Sequence, residues 1–305
     1  MTGATGPGPL PHDSHTSPPA DSTMAAPAWM NASARPLEAA LSGSGHDLIG
    51  RAATLWPLGQ DSDTATRAGR YLPETNRHPQ RTRAALAAHI VARYSRIGQT
   101  VFDGFAGSGT TLVEAVYAGR HAVGVESDPR WFDLAVCNAA FACEHGAAGT
   151  ALITWADTRR LAPIPRRIRH RVDLVLVTPP AHFKPTTVGK ANDETLVADF
   201  ERDMRVAISS WIPLLHPGST VVFTSRLQPA TDYLLDLAVP IAAAAHRYGL
   251  QLVDWAAALP VSVREAISRG PTRVTGHKPA GPAAVHDDVL VYQVPTGSPR
   301  RRRGR

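Results

Sequence analysis

Two cysteines in 305 residues, Cys137 and Cys143, are too few for a disulfide framework or a four-ligand zinc site. A reducing cytoplasm is therefore the expected compartment. No run approaches the ~20 apolar residues that cross a bilayer. The amino end also lacks the basic-then-apolar order of a signal peptide, so no membrane partner is expected. Aromatic residues are scarce at 6%. The apolar content of 43% still suffices for a core.

Positive charge is abundant but badly placed for a general nucleic-acid reading. Five arginines, Arg300, Arg301, Arg302, Arg303 and Arg305, sit in a terminal tail, and without those five the formal charge falls from +6 to +1. The remaining basic residues cluster at Arg159, Arg160, Arg166, Arg167, Arg169 and Arg171, interrupted by prolines. Such clusters fit a solvated loop as readily as a phosphate contact. The tail would add salt-sensitive affinity for phosphates without reading sequence.

Residues 1–45 are rich in Pro, Gly, Ser, Thr and Ala and poor in bulky apolar side chains. They cannot bury enough surface to offset ordering entropy, which predicts a disordered extension. A single domain is expected over 46–297, followed by the basic tail 298–305. Residues 46–75 are transitional, with apolar content around Ala53–Leu58.

From about residue 80, apolar patterning alternates between helical and strand periods. Helices are expected at Thr82–Ser95, Thr111–Ala118, Pro129–Cys143, Thr195–Leu215 and Asp232–Tyr248. Strands are expected at Thr100–Asp103, His121–Glu126, Ala151–Trp155, Val172–Thr178, Ser219–Thr224, Leu250–Trp255 and Asp288–Val294. Residues 258–285 read as irregular. This order predicts an α/β fold, a seven-stranded, mostly parallel doubly wound sheet with helices on both faces. The last strand follows a long irregular segment and is free to insert antiparallel.

Ligands of such sheets bind beyond the carboxyl ends of the strands. The loop Gly104–Gly109 after the first of these strands is the expected place. Gly107 and Gly109 allow close backbone approach, and Thr110 and Thr111 open the next helix. Three cofactor classes compete for this loop. A phosphate-binding P-loop needs lysine where Thr110 stands. A dinucleotide fingerprint needs a third glycine where Leu112 stands. Acids at three successive strand ends, Asp103, Glu126 and Asp157, suit S-adenosylmethionine instead. That cofactor carries an ammonium and a sulfonium and no phosphate; a carboxylate at Glu126 can accept its ribose hydroxyls. Each acid taken alone also fits a helix N-cap.

These residues bring the sequence to a known family. Phe102-Asp-Gly-Phe-Ala-Gly-Ser-Gly-Thr-Thr111 resembles motif I of amino-group (N4-cytosine/N6-adenine) DNA methyltransferases, usually Asp-Pro-Phe-x-Gly-Ser-Gly-Thr-Thr. Asn76-Arg-His78-Pro79 resembles motif X, Val125-Glu126-Ser-Asp128 motif II, and Trp155-Ala-Asp157 motif III. Val177-Thr178-Pro179-Pro180 stands where motif IV belongs, and His286-Asp-Asp288-Val-Leu-Val-Tyr resembles the last strand. The likeness covers roughly 68–295 and points to an actinobacterial DNA-methylase-like member. It implies a Rossmann-like methyltransferase fold. It also implies cofactor contacts from His78, Pro79, Asp103, Phe105, Gly107, Ser108, Gly109, Thr110, Thr111, Glu126 and Asp157. Thr178, Pro179 and Pro180 become the candidate catalytic residues. DNA is implied as partner more strongly than RNA, although related enzymes of this fold methylate tRNA guanine.

Two departures stand out. Gly104 replaces the motif I proline. Motif IV reads Thr178-Pro-Pro-Ala181, where the family has Asp, Asn or Ser, then Pro-Pro, then an aromatic residue. An exocyclic amine is a poor nucleophile, and the polar residue and adjacent carbonyl hold it in line with the methyl group. The prolines stiffen the turn, and the aromatic ring stacks on a flipped base. Thr178 can accept a hydrogen bond, but Ala181 cannot stack; His182 and Phe183 are nearby substitutes. A catalytically degraded cofactor-binding relative, or a methyltransferase for a small molecule, is the alternative expectation. Segments 181–194 and 258–285 are short for a target-recognition insertion. Oligomeric state is not legible.

Overall fold

The computed structural model describes residues 54–58, 62–161, 169–180, 193–229, 234–259 and 286–296. The extension 1–45, Arg166, Arg167, Ala181, His182, Phe183 and the tail 298–305 lie outside them. The first half contains β1 (Thr54–Pro57), α1 (Asp63–Arg67), α2 (Ala84–Tyr94), β2 (Thr100–Asp103), α3 (Thr110–Tyr117), β3 (His121–Glu126), α4 (Pro129–Glu144) and β4 (Thr150–Trp155). There follow β5 (Val172–Val177), α5 (Asp193–Trp211), β6 (Leu215–Arg226), β7 (Gln228–Pro229), β8 (Leu234–Leu235), α6 (Ala238–Arg247), β9 (Gln251–Leu259) and β10 (Asp287–Gln293).

The main sheet has eight strands, not the expected seven, in the order β1-β9-β10-β6-β5-β2-β3-β4. The additional strand is β1, from the transitional stretch. It pairs in parallel with β9, Thr54 lying opposite Ala256, a partner remote in sequence. Four residues at an edge, with Trp56 buried and Leu55 exposed, leave too short a pattern to read. β10 is the one antiparallel member, paired with both β6 and β9. The architecture is thus the α/β, Rossmann-like methyltransferase arrangement.

Three boundaries also differ from expectation. The helix expected to reach Leu215 stops at Trp211, and β6 already begins at Leu215. Pro213 cannot continue a helix, and residues 212–214 tighten into a 3-10 turn. The helix expected from Asp232 starts at Ala238, whose N–H the Asp236 carboxylate accepts at 2.7 Å. β9 runs on to Leu259, into the stretch expected to be irregular.

Strand side chains alternate between two apolar layers. Val101, Leu174, Leu176, Val222, Val289 and Val291 pack with α2 and α3. Phe102, Val175, Val177, Val221, Phe223 and Leu290 pack with α5 and α6 around Trp211. Both faces are covered, so β5 is apolar nearly throughout. Burying each of these larger side chains contributes about 1.5–3 kcal/mol.

Parallel crossovers bring the carboxyl ends of β2, β3, β4, β5 and β6 to one rim. Because β10 runs the other way, its amino end arrives at that same rim, with Asp287 opposite Arg226.

Candidate active site

β2 delivers Asp103 to the rim and the glycine loop folds back over it. The carboxylate is 2% exposed and accepts the Phe105 N–H at 2.9 Å. Burial pushes its pKa up to about 7, against the Thr111 hydroxyl and the Phe105 amide. Gly107 and Gly109 have φ of +53° and +88°, the left-handed region that side chains avoid. Gly109 caps α3, and Thr110 begins it, as expected.

Gly104 has a steric explanation that the sequence concealed. A Cβ there would lie 2.7 Å from Thr158 Oγ1 and 2.8 Å from the Trp211 ring. The Trp211 indole N–H donates to Thr158 Oγ1 at 2.7 Å, and its ring stands edge-on to Phe105. The space that the motif I proline would occupy is filled by a buried tryptophan from α5.

A strap formed by residues 62–84 crosses the loop. Arg67, 4% exposed, donates to Asp63 at 2.9 Å, to the Thr82 carbonyl at 2.6 Å and to Thr110 Oγ1 at 3.2 Å. Asp63 also accepts the Ala84 N–H at the start of α2. Tyr71 and Arg70 each donate to Glu114 of α3 at 2.6 Å. Buried Asn138 of α4 accepts from Leu72 and donates to Thr75 and to the Ser108 carbonyl. No linear motif marks these residues; the Asp63–Arg67 helical spacing is the only sequence signal.

The strap holds the His78 imidazole over Gly107, where an added Cβ would come within 2.9 Å of Nε2. Trp131 meets the imidazole edge-on at 4.6 Å between centroids. Burial, and then the cations Arg81 and Arg67, push the His78 pKa down to about 4. The ring is neutral at physiological pH, and its buried Nδ1 has no hydrogen-bond partner among the described residues.

His78, Pro79, Phe105, Gly107, Glu126 and Asp157 line one cavity of about 280 Å³, with Thr178 and Pro180 at its far side. Asp103, Ser108, Gly109, Thr110 and Thr111 do not line it; they form the buried layer beneath. Thr110 spends its hydroxyl on Arg67. Glu126 accepts the N–H groups of Gly107, Ser127 and Asp128 at 2.7–2.8 Å. The Ser127 hydroxyl also stands 3.5 Å from this carboxylate, so its roughly four acceptor positions are largely engaged, and a ribose hydroxyl would take the place of the weak Ser127 contact. Asp157 caps the turn at 158–160, and Arg159 beside it holds its carboxyl below the usual range. Arg159 also reaches Asp203, so it is a structural bridge.

A second cavity of about 410 Å³ shares Pro79, Gln80 and Thr178 with the first. Its other walls include Pro179, Phe200, Leu237 and Ile241, with Arg81, Arg83, Arg226 and Asp287. Thr178 is common to both. Its hydroxyl lies 2.6 Å from that of Thr82 and 2.5 Å from that of Thr224. The candidate catalytic residues split accordingly, Pro180 facing the first cavity and Pro179 the second.

The sheet order with its one antiparallel strand gives a Rossmann-like methyltransferase fold. Residues 50–136 match the family described as DNA methylase. That match supports an amino-group DNA methyltransferase-like family and S-adenosylmethionine as the cofactor. Among solved structures, TrmN from Thermus thermophilus is 22% identical with a TM-score of 0.46, covering 74% of this chain. This chain spans 53% of that protein's length. A SAM-dependent methyltransferase from Methanosarcina mazei is 12% identical, TM-score 0.45, over 68% of this chain and 98% of its own. A geranyl diphosphate methyltransferase in complex with SAM is 12% identical, TM-score 0.46, over 80% and 99%.

The first cavity fits that cofactor. Among the described residues, Glu126, Asp128 and Asp157 line it against one arginine, Arg159, while Phe105 and Trp131 supply aromatic walls. The unpartnered His78 Nδ1 offers a further polar contact. An acidic lining suits a cationic, phosphate-free cofactor and disfavours a nucleoside triphosphate.

Proposed function

We propose that this protein methylates an exocyclic amino group of a nucleic-acid base, DNA adenine N6 or cytosine N4. The carrying observation is that an acidic cavity and a basic cavity meet at Thr178, flanked by Pro179 and Pro180. S-adenosylmethionine, when bound, supplies an electrophilic methyl group. Glu126 and Asp157 orient it from the strand ends, and the neutral His78 and Trp131 close over it and exclude water. A hydroxyl has one proton and two lone pairs. Between Thr82 and Thr224, Thr178 Oγ1 donates to one and accepts from the other, which leaves one lone pair for an amine N–H. The two prolines fix the turn, so that acceptor is held in place before the substrate arrives.

A second reading, a cofactor-binding relative without transfer, is favoured by the acceptor cavity's aromatic lining. Among the described residues that line it, Phe200 is the only aromatic, and it is itself buried. Base-modification mass spectrometry on a deletion strain and its parent tests the proposal. Loss of N6-methyladenine or N4-methylcytosine from DNA in the deletion strain supports it. An unchanged base inventory, together with no transfer of tritiated methyl to host DNA or RNA, contradicts it.

A further inference from the structure

Among the described residues that line the acceptor cavity, cations outnumber carboxylates. Asp287, buried at the amino end of β10, accepts Arg83 Nε at 3.1 Å and Arg226 Nε at 2.7 Å. Arg67 and Arg81 likewise share Asp63, at 2.9 and 3.2 Å. Among the described residues, three guanidiniums line the cavity, those of Arg81, Arg83 and Arg226, and Asp287 is the only acid that does. Arg83 uses only Nε on Asp287, and its two terminal nitrogens make no other hydrogen bond among the described residues. Its side chain is 33% exposed, so those nitrogens are reachable from the cavity.

Position matters as much as charge. Thr82 and Thr224 both touch Thr178. Arg83 follows Thr82 directly, and Arg226 comes two residues after Thr224. The same two segments that frame the amine-binding hydroxyl thus present the cations. A guanidinium fork matches phosphate oxygens in a plane, and its N–H groups are already aimed by Asp287.

We infer that Arg83 and Arg226, braced by Asp287, form a phosphate subsite that binds a phosphate belonging to the acceptor whose base lies at Thr178. This rests on the proposed function and adds the requirement for a phosphate. The base then approaches from the basic cavity while the cationic cofactor occupies the acidic one.

The test is competition against a fluorescently labelled single-stranded oligodeoxynucleotide, read by anisotropy on the full chain. The competitors are 2′-deoxyadenosine, 2′-deoxycytidine and their 5′-monophosphates. Wild type prefers monophosphate over nucleoside by about tenfold, the worth of one charge-assisted contact. Arg83→Gln removes most of that preference and lowers the salt slope of oligonucleotide binding by about 0.7. Arg83→Lys, which keeps the charge, retains the slope. Arg96→Gln, at the opposite rim, changes neither. Dependence on Arg83 for both the oligonucleotide and the monophosphate assigns the phosphate to the acceptor nucleotide itself; dependence for the oligonucleotide alone places the contact on a neighbouring backbone phosphate and overturns the subsite. Equal competition by nucleoside and monophosphate in wild type, or an unchanged preference in Arg83→Gln, overturns the subsite. Calorimetry with S-adenosylmethionine on the same proteins separates the two failures: no cofactor binding by wild type contradicts the methyltransferase reading, whatever Arg83 does.

Discussion

The two cavities that meet at Thr178 are built in opposite ways. The cofactor side is acidic and comes from consecutive strand ends between His78 and Asp157, its carboxylates held by nearby backbone N–H groups. The acceptor side is basic and gathers residues from Arg81 to Asp287, joined across β10. One side is local in sequence and self-supporting; the other exists only after the sheet has closed. Perturbing each should therefore have separable consequences.

The strap is expected to give the largest effect. Arg67→Met leaves Asp63 with Arg81 alone and Thr110 without its donor, and should cost about 3 kcal/mol or more in a urea melt. A loss below 1 kcal/mol would show that the buried network does not brace the loop. Next, Glu126→Ala frees three backbone N–H groups and should weaken S-adenosylmethionine binding by about 100-fold. Oligonucleotide affinity should stay within twofold, and a parallel loss of both would break the comparison. Thr178→Ala is smaller and lies on the boundary. Methyl transfer should drop about 10- to 100-fold with cofactor affinity unchanged, and Thr178→Ser should recover most of it.

The smallest effect is a pH dependence. Between about pH 6.5 and 4 the unfolded chain protonates His78 while the folded chain does not. His78 therefore subtracts stability as pH falls through that window, by about 1–2 kcal/mol after solvent screening. Thermal melts of His78→Gln should show a shallower acid loss than wild type across the same range.

What the sequence made legible follows the same division. The loop Gly104–Thr111 and the acids Asp103, Glu126 and Asp157 are each tied to a neighbouring strand end, so periodicity located them. Thr178-Pro-Pro180 was found because β5 is a continuous apolar run that ends there. Asp287 was hidden, because its arrival at the rim depends on β10 running antiparallel, a fact of tertiary pairing. Gly104 is legible in the sequence only as a departure from the motif I proline, because Trp211, which fills the space, lies more than a hundred residues away. The missing eighth strand had the same cause, a four-residue edge whose partner is β9.

The central claim is that the cavity over Gly107 binds S-adenosylmethionine and that the Asp103 charge beneath it favours that cation. Calorimetric titration of S-adenosylmethionine into wild type and Asp103→Asn, at pH 6 and pH 8, tests this most directly. With a pKa of about 7, wild-type Asp103 is mostly protonated at pH 6 and ionised at pH 8. Wild type should therefore bind more tightly at pH 8, by about tenfold over Asp103→Asn, with the gap shrinking toward pH 6. Equal affinities of the two proteins at pH 8 would contradict the account.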